Sequence, residues 1–211
     1  LRADIKATIQ DAETITVSAI SLVNNLLNVA KIEEGRAGLN LELRSVRPIL
    51  KNEADKIGSL AMRKGISFSA FIPGRLPKCR IDKEKIAVVI ENILENAVKY
   101  TEKGGRVTLS AVDAKDNIEI SVIDTGIGIP KEQQHRVFSQ FFRASNARRM
   151  APSGTGLGLF MTRNVIERHD GSMSFVSEEG KGTSVRILLP VADSSASPPA
   201  KGDAKRIESL S

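Results

Sequence analysis

Cysteine is almost absent from this sequence. Cys79 stands alone among 211 residues, so no internal disulfide can form and no thiolate cluster can hold zinc, which fits a reducing, cytoplasmic setting. Long apolar runs are missing too. No stretch approaches the roughly 20 residues of a helical membrane span, and the segment from Leu1 to Ala30 is interrupted by Arg2, Asp4, Lys6, Asp11 and Glu13, which excludes a signal peptide or anchor there. Histidine is scarce, with His135 and His169 the only two. Neither sign of charge dominates: 31 Lys and Arg against 25 Asp and Glu leave a net +6, and the basic residues are scattered between acids. That distribution does not point to nucleic acid; a phosphate-bearing small ligand suits it as well. An initiating Met is also lacking, and more protein is expected upstream.

What is present is ordinary for a globular chain: 41% hydrophobic and 27% charged residues are enough for one good-sized core with an appendage. Ile5, Ile9, Ala12, Thr16, Ala19, Val23, Leu26 and Ala30 recur in steps of four and three, a heptad seam on a long helix that serves a bundle or dimer, or packs on its own domain. Gly35 and Gly38 end it. Leu39 to Val46 alternates as a strand, Pro48 opens a helix to about Met62, and Ile66 to Ile72 reads as another strand. Asp82 caps a helix to about Tyr100, and Val107 to Val112 with Ile118 to Ile123 form a hairpin. After Pro130 come a short helix and an aromatic cluster, then a polar, aperiodic and mobile segment from Arg143 to Ser153. A helix from about Leu157 to Arg168 and a last hairpin, Ser172 to Ser177 with Ser184 to Leu189, follow. The tail from Ala192 to Ser211, rich in Ser and Pro, reads as disordered.

Three places carry candidate chemistry. On the Asp82 to Tyr100 helix, Ile86, Ile90, Ile93, Leu94 and Ala97 share an apolar face, Glu84, Glu91 and Glu95 a wet one, and Asn92, Asn96 and Lys99 a third. An amide oxygen can ligate magnesium and a lysine can meet phosphate, but a solvated polar face explains these three equally well. Asp124-Thr125-Gly126-Ile127-Gly128-Ile129-Pro130 follows an apolar strand; its carboxylate can accept from an amino group such as that of adenine, or the segment is simply a glycine-rich turn. Gly154-Thr155-Gly156-Leu157-Gly158-Leu159 precedes a helix whose N-terminus can receive phosphate oxygens, yet it does not follow a strand as a dinucleotide fingerprint would. Gly180-Lys181-Gly182-Thr183 contains part of a P-loop pattern, but a hairpin turn is the better reading.

In order and rough spacing, NILENAVKYT (Asn92 to Thr101), DTGIGIP (Asp124 to Pro130), FSQFFR (Phe138 to Arg143) and GTGLGL (Gly154 to Leu159) resemble the N box, first glycine box, F box and second glycine box of sensor histidine kinases. LLNVAKIEEG (Leu26 to Gly35) is similar to the end of the second helix of the kinase dimerisation domain, and the likeness runs over about residues 5 to 190. The resemblance implies an α+β fold, a two-layer α/β sandwich of the ATP-binding type shared with gyrase, heat-shock chaperone and mismatch-repair ATPases, preceded by a long N-terminal helix. It implies residues 1–35 as part of the dimerisation domain, 36–190 as the catalytic domain and 191–211 as the tail. By position it assigns Asn96 to magnesium, Asn92 to support of the triphosphate, Lys99 and Tyr100 to phosphate and nucleoside, and Arg143 to the terminal phosphate. Asp124 would bind the adenine amine, with Thr183 helping through a water. Gly126, Gly128, Ile129, Phe142, Gly154, Thr155, Gly156, Leu157 and Gly158 would shape pocket and lid. Phe138, Phe141 and Phe142 read equally as core that anchors the lid, the preferred reading for Phe138.

One discriminating position and one departure from the family pattern refine the expectation. Hydrolases of the superfamily carry Glu where this N box has Asn92, so the base that activates water is lacking and phosphoryl transfer with slow unaided hydrolysis is expected; an ATPase clamp of the gyrase kind is disfavoured. The acceptor histidine of such kinases lies further upstream than this chain reaches, while His135 and His169 read as structural or solvated. The implied protein is the ATP- and magnesium-binding part of a protein histidine kinase whose acceptor lies on a dimerisation helix elsewhere, with a homodimeric parent and a response regulator as partner. The alternative is a non-enzymatic nucleotide sensor.

Overall fold

The computed structural model describes Thr16 and residues 38–192. Apart from Thr16, the helix expected over residues 1–35 and the tail expected beyond residue 192 lie outside the described residues. In chain order the elements are β1 (Glu42–Ser45), α1 (Arg47–Lys64), β2 (Ser67–Phe71), β3 (Lys78–Ile81), α2 (Lys83–Lys99), β4 (Arg106–Asp113), β5 (Asn117–Asp124), a 3-10 helix (Lys131–Arg136), α3 (Ser145–Met150), α4 (Gly158–Glu167), β6 (Ser172–Glu178) and β7 (Gly182–Pro190). Five strands form one sheet in the order β2-β4-β5-β7-β6, and β1 pairs with β3 in a separate two-stranded sheet. In the large sheet β2 runs parallel to β4 and the other neighbours are antiparallel.

Among the described residues, only one face of that sheet is covered. Val107, Leu109 and Ala111 of β4, Ile118, Ile120 and Val122 of β5, and Ile187 and Leu189 of β7 are buried, and they join Leu50 and Ile57 of α1, Ile90 and Leu94 of α2 and Ile166 of α4 in a single core. Each fully buried aliphatic side chain of this kind contributes about 1.5–3 kcal/mol, and the period-2 register puts the intervening Ser110, Ser121 and Glu119 on the opposite face, where none is buried. The two-layer α+β sandwich is therefore the observed architecture.

The helix boundaries follow local chemistry. Pro48 lies in the first turn of α1, and Gly65, at φ +71°, closes it by donating its N–H to Ala61 and Met62 carbonyls. Asp82 caps α2, accepting from the N–H groups of Glu84 and Lys85, both at 3.1 Å; its other oxygen takes the Asn40 N–H at 3.0 Å. Burial alone would raise the Asp82 carboxyl, but these N–H groups outweigh it and hold it below its ordinary value. Where the structure differs from the sequence reading, the reasons are physical. The first strand is confined to Glu42–Ser45, and its apolar side faces out, with Leu41 36% and Leu43 56% exposed. β3 was not expected, because KCRI is too short to show a period. The aperiodic segment from Arg143 to Ser153 contains the helix α3.

His169 is structural, as expected. It is buried, its Nδ1 donates to the Val165 carbonyl at 2.7 Å, and its Nε2 accepts the Asp82 N–H at 3.0 Å, so it ties the end of α4 to the cap of α2. His169→Ala leaves that buried N–H without a partner and is expected to cost about 1–3 kcal/mol, read as a lower denaturant midpoint with unchanged slope; a midpoint equal to wild type would contradict the assignment. His135 lies on the exposed side of the 3-10 helix. Cys79 is buried, which pushes its thiol up to about 11 and leaves it inert at neutral pH.

Candidate functional site

The core ends where the period of β5 places an acid. Ile118, Ile120 and Val122 point to the helix-covered face, and Asp124, two residues further, continues the same alternation. The register pairs it with Val107 on one side and Thr183 on the other. A carboxylate thus stands where the pattern asks for an apolar side chain. Its Oδ1 accepts the N–H of Gly126 at 2.8 Å and of Thr183 at 3.2 Å, and these two bonds leave Oδ2 available to a ligand. Burial raises the Asp124 carboxyl above its ordinary value, and the two N–H groups offset only part of the rise.

Asp124 opens onto a cavity of about 680 Å³, within the range of small-molecule sites. Asn92, Asn96, Lys99 and Tyr100 reach it from α2, Gly128 and Ile129 from the loop after β5, Phe142 and Arg143 from the F box, Gly154, Thr155, Gly156 and Gly158 from the second glycine box, and Thr183 from β7. Of the residues that the resemblance assigned to pocket and lid, Gly126 and Leu157 do not line it. Gly126 packs beneath the Tyr100 carbonyl, where an added Cβ would lie 2.3 Å from the oxygen, and Leu157 is fully buried beside the start of α4.

The α2 face now has defined partners. Asn92 lies against Gly158, whose lack of a side chain lets α4 approach: a Cβ there would sit 2.6 Å from the Asn92 amide oxygen. Asn92 Nδ2 donates to Thr162 Oγ1 at 3.2 Å. Thr162, one turn along α4, is buried, lines the cavity and was not singled out in the sequence, although its i+4 spacing from Gly158 was a signal for a shared face. Asn96, one turn after Asn92, is half-buried and lines the same wall.

Two cations gather at the far end. Around Gly154, an added Cβ would lie 3.4 Å from both Lys99 Nζ and the Arg143 guanidinium carbon. Burial, then the charge of Arg143, lowers the Lys99 ammonium below the ordinary lysine value. Both groups hold lid backbone: Lys99 Nζ donates to the Ser153 carbonyl at 2.9 Å, and Arg143 donates to the carbonyls of Pro152 at 2.6 Å, of Gly154 and Ala147 at 3.4 Å, and of Ala151. Segment 147–154 is thus fastened by donors of the kind that phosphate oxygens attract. Phe138 stacks edge-on to Phe175 with ring centroids 5.5 Å apart, in keeping with an anchoring role, whereas Phe141 is 53% exposed with φ +59° and Phe142 lies under Arg136. Among the described residues no cluster of three or more His, Cys, Asp or Glu could hold a metal ion, so a cation here would be held through amide oxygen and ligand phosphate. Asn96 fits that need. No helix among the described residues is long and apolar enough to cross a membrane.

Comparison with known proteins agrees with this geometry. The family model of histidine kinase-, DNA gyrase B-, and HSP90-like ATPases matches residues 81–193. Sensor histidine kinase WalK of Bacillus subtilis is 36% identical over 178 residues, which cover 83% of this chain and 29% of that protein. Sensor protein SrrB of Staphylococcus aureus is 32% identical over 169 residues, covering 80% and 29%. The chain thus spans less than a third of these relatives. Among solved structures, full-length ShkA in complex with AMPPNP superposes with a TM-score of 0.70 at 28% identity, covering 82% of this chain and 36% of that one. The mycobacterial sensor histidine kinase MprB superposes at 0.62 and 27%, covering 71% and 97%. The chain belongs to the family of histidine kinase-, DNA gyrase B-, and HSP90-like ATPases.

Proposed function

We propose that this chain binds ATP with magnesium and passes the γ-phosphoryl to a histidine outside itself, as the catalytic part of a two-component sensor histidine kinase. One observation carries the reading: a single cavity collects a half-buried carboxylate with an unused oxygen, two carboxamides one helical turn apart, and two cations that converge on one glycine. The adenine amine donates to Asp124 Oδ2, with Thr183 beside it. The triphosphate runs along α2 toward Lys99 and Arg143, and the start of α4 adds N–H groups and a favourable dipole end. Asn96 is the magnesium ligand; magnesium supplies charge neutralisation on the phosphates. Lys99 and Arg143 exchange lid carbonyls for phosphate oxygens when the nucleotide enters.

Transfer is favoured over hydrolysis because Asn92 is an amide and cannot take a proton from water. His135 and His169 are not acceptors: one is solvated, and the other has both ring nitrogens engaged in the core. The reading assigns residues 36–190 to the catalytic domain and 1–35 to the dimerisation domain. It places the chain in the cytoplasm, with a homodimeric parent and a response regulator downstream.

The test supplies an acceptor in trans. With γ-labelled ATP, a two-helix dimerisation segment bearing a histidine is expected to acquire acid-labile label, while the chain alone stays unlabelled and releases phosphate slowly. Acid-labile label on His135 or His169 would contradict the account. ATP binding without label on any acceptor offered would favour a nucleotide sensor instead.

A further inference from the structure

We infer that Lys64, which lies outside every motif above, is a positioning residue for the nucleotide pocket: its ammonium ties down the carbonyls of Val98 and Lys99 at the end of α2 and so fixes where Lys99 stands. The inference rests on the nucleotide-binding reading and goes beyond it. A helix leaves its final carbonyls without intrahelical partners, and at the end of α2 each has a named one. Tyr100 N–H donates to Asn96 at 3.0 Å, and Thr101 Oγ1 donates to Ala97 at 2.7 Å. Lys64 Nζ donates to Val98 at 2.6 Å and to Lys99 at 2.7 Å. The Tyr100 carbonyl takes the Ile127 N–H at 3.0 Å, which holds Tyr100 to the first glycine box by a bond in which Lys64 has no part.

Lys64 supplies two of these bonds from the last residue of a different helix. Its backbone is fixed in turn, because Gly65 closes α1 and accepts the Gly104 N–H at 2.8 Å. A cation at a helix C-terminus also meets the negative end of the helix dipole. Half-buried, Lys64 has its ammonium shifted below the ordinary lysine value by desolvation, so the contact is not a solvated surface pair. Without it, the Val98 and Lys99 carbonyls turn to water, the last turn of α2 loosens, and the Lys99 side chain loses its fixed place beside Gly154. Asp124, on β5, keeps its position. Phosphate recognition therefore suffers and adenine recognition does not.

That division supplies the experiment. ATP and adenosine are each titrated against a fluorescent nucleotide bound to wild type, Lys64→Met and Lys64→Arg. Lys64→Met is expected to weaken ATP about tenfold and to leave adenosine within about twofold, and Lys64→Arg is expected to recover most of the ATP affinity. If Lys64→Met does not fold, Lys64→Gln, which keeps N–H donors without the charge, is judged by the same ratio. ATP affinity equal to wild type in the folded variant would overturn the inference, and so would parallel loss of ATP and adenosine, which marks general loosening. A wild-type chain that binds neither ligand would sink the nucleotide reading itself, and this inference with it.

Discussion

Asp124→Asn is expected to weaken ATP binding about 100-fold, or roughly 2.7 kcal/mol, without unfolding the protein. The substitution keeps the Oδ1 that accepts from Gly126 and Thr183, but puts an NH2 where Oδ2 had faced the ligand. On the proposed pose a donor then opposes the adenine amine, and both lose their partner in a water-poor site. The pH dependence has two opposite signs. Because burial raises the Asp124 carboxyl above its ordinary 3.8, the native state holds this proton more tightly than the unfolded chain. The group's contribution to stability is therefore complete below the unfolded value and is lost as pH rises through the raised native value. Nucleotide affinity runs the other way: the ionised carboxylate is the acceptor, so binding weakens as pH falls through that raised value. Asp124→Asn should remove both trends. ATP affinity within about threefold of wild type would remove Asp124 from the site.

Gly182→Ala is expected to damage the domain badly, costing about 3 kcal/mol or more. Gly182 has φ +116°, and a Cβ there would lie 2.0 Å from the Asp124 carbonyl oxygen and 2.9 Å from the Thr125 Cα. Both atoms belong to backbone, so no side chain can swing aside, and relief requires parting β7 from the end of β5. The loss should appear as a fall of roughly 6–12 °C in Tm, accompanied by weaker nucleotide binding because Asp124 moves. Gly180→Ala in the same turn isolates the conformational part. Gly180 has φ +79° with no atom within 4 Å of an added Cβ, so only left-handed strain of about 1–2 kcal/mol is expected. Equal effects at the two positions would show that the approach of Gly182 to Asp124 does not matter.

How much of this was legible depended on where each contact partner lay in sequence. The α2 helix could be read whole, since its cap, Asp82, and its stripe from Ile86 to Ala97 lie within one window, and every stripe residue is buried. The β4–β5 hairpin and the turn at Gly180 to Thr183 were legible for the same reason. Asp124 was recognised through its motif, but its strand period also marked it: it is the fourth member of the series Ile118, Ile120, Val122, and the only charged one. What stayed hidden depends on long-range pairing. β3 exists because Arg44 and Cys79 meet across a register that four residues cannot announce. The order in segment 147–154 comes from Arg143 and Lys99 side chains bonding to carbonyls, which leaves no periodic trace. Thr162 as the partner of Asn92, and Lys64 at the end of α2, are likewise contacts between helices far apart in the chain.

The central claim is that the cavity between α2, α4 and the end of β5 is an ATP site. Calorimetric titration of the folded chain with ATP in the presence of magnesium tests it most directly. A saturable one-site isotherm, lost in Asp124→Asn and weakened when magnesium is withheld, is the expected result. A folded wild-type chain that releases no heat with ATP would contradict the account.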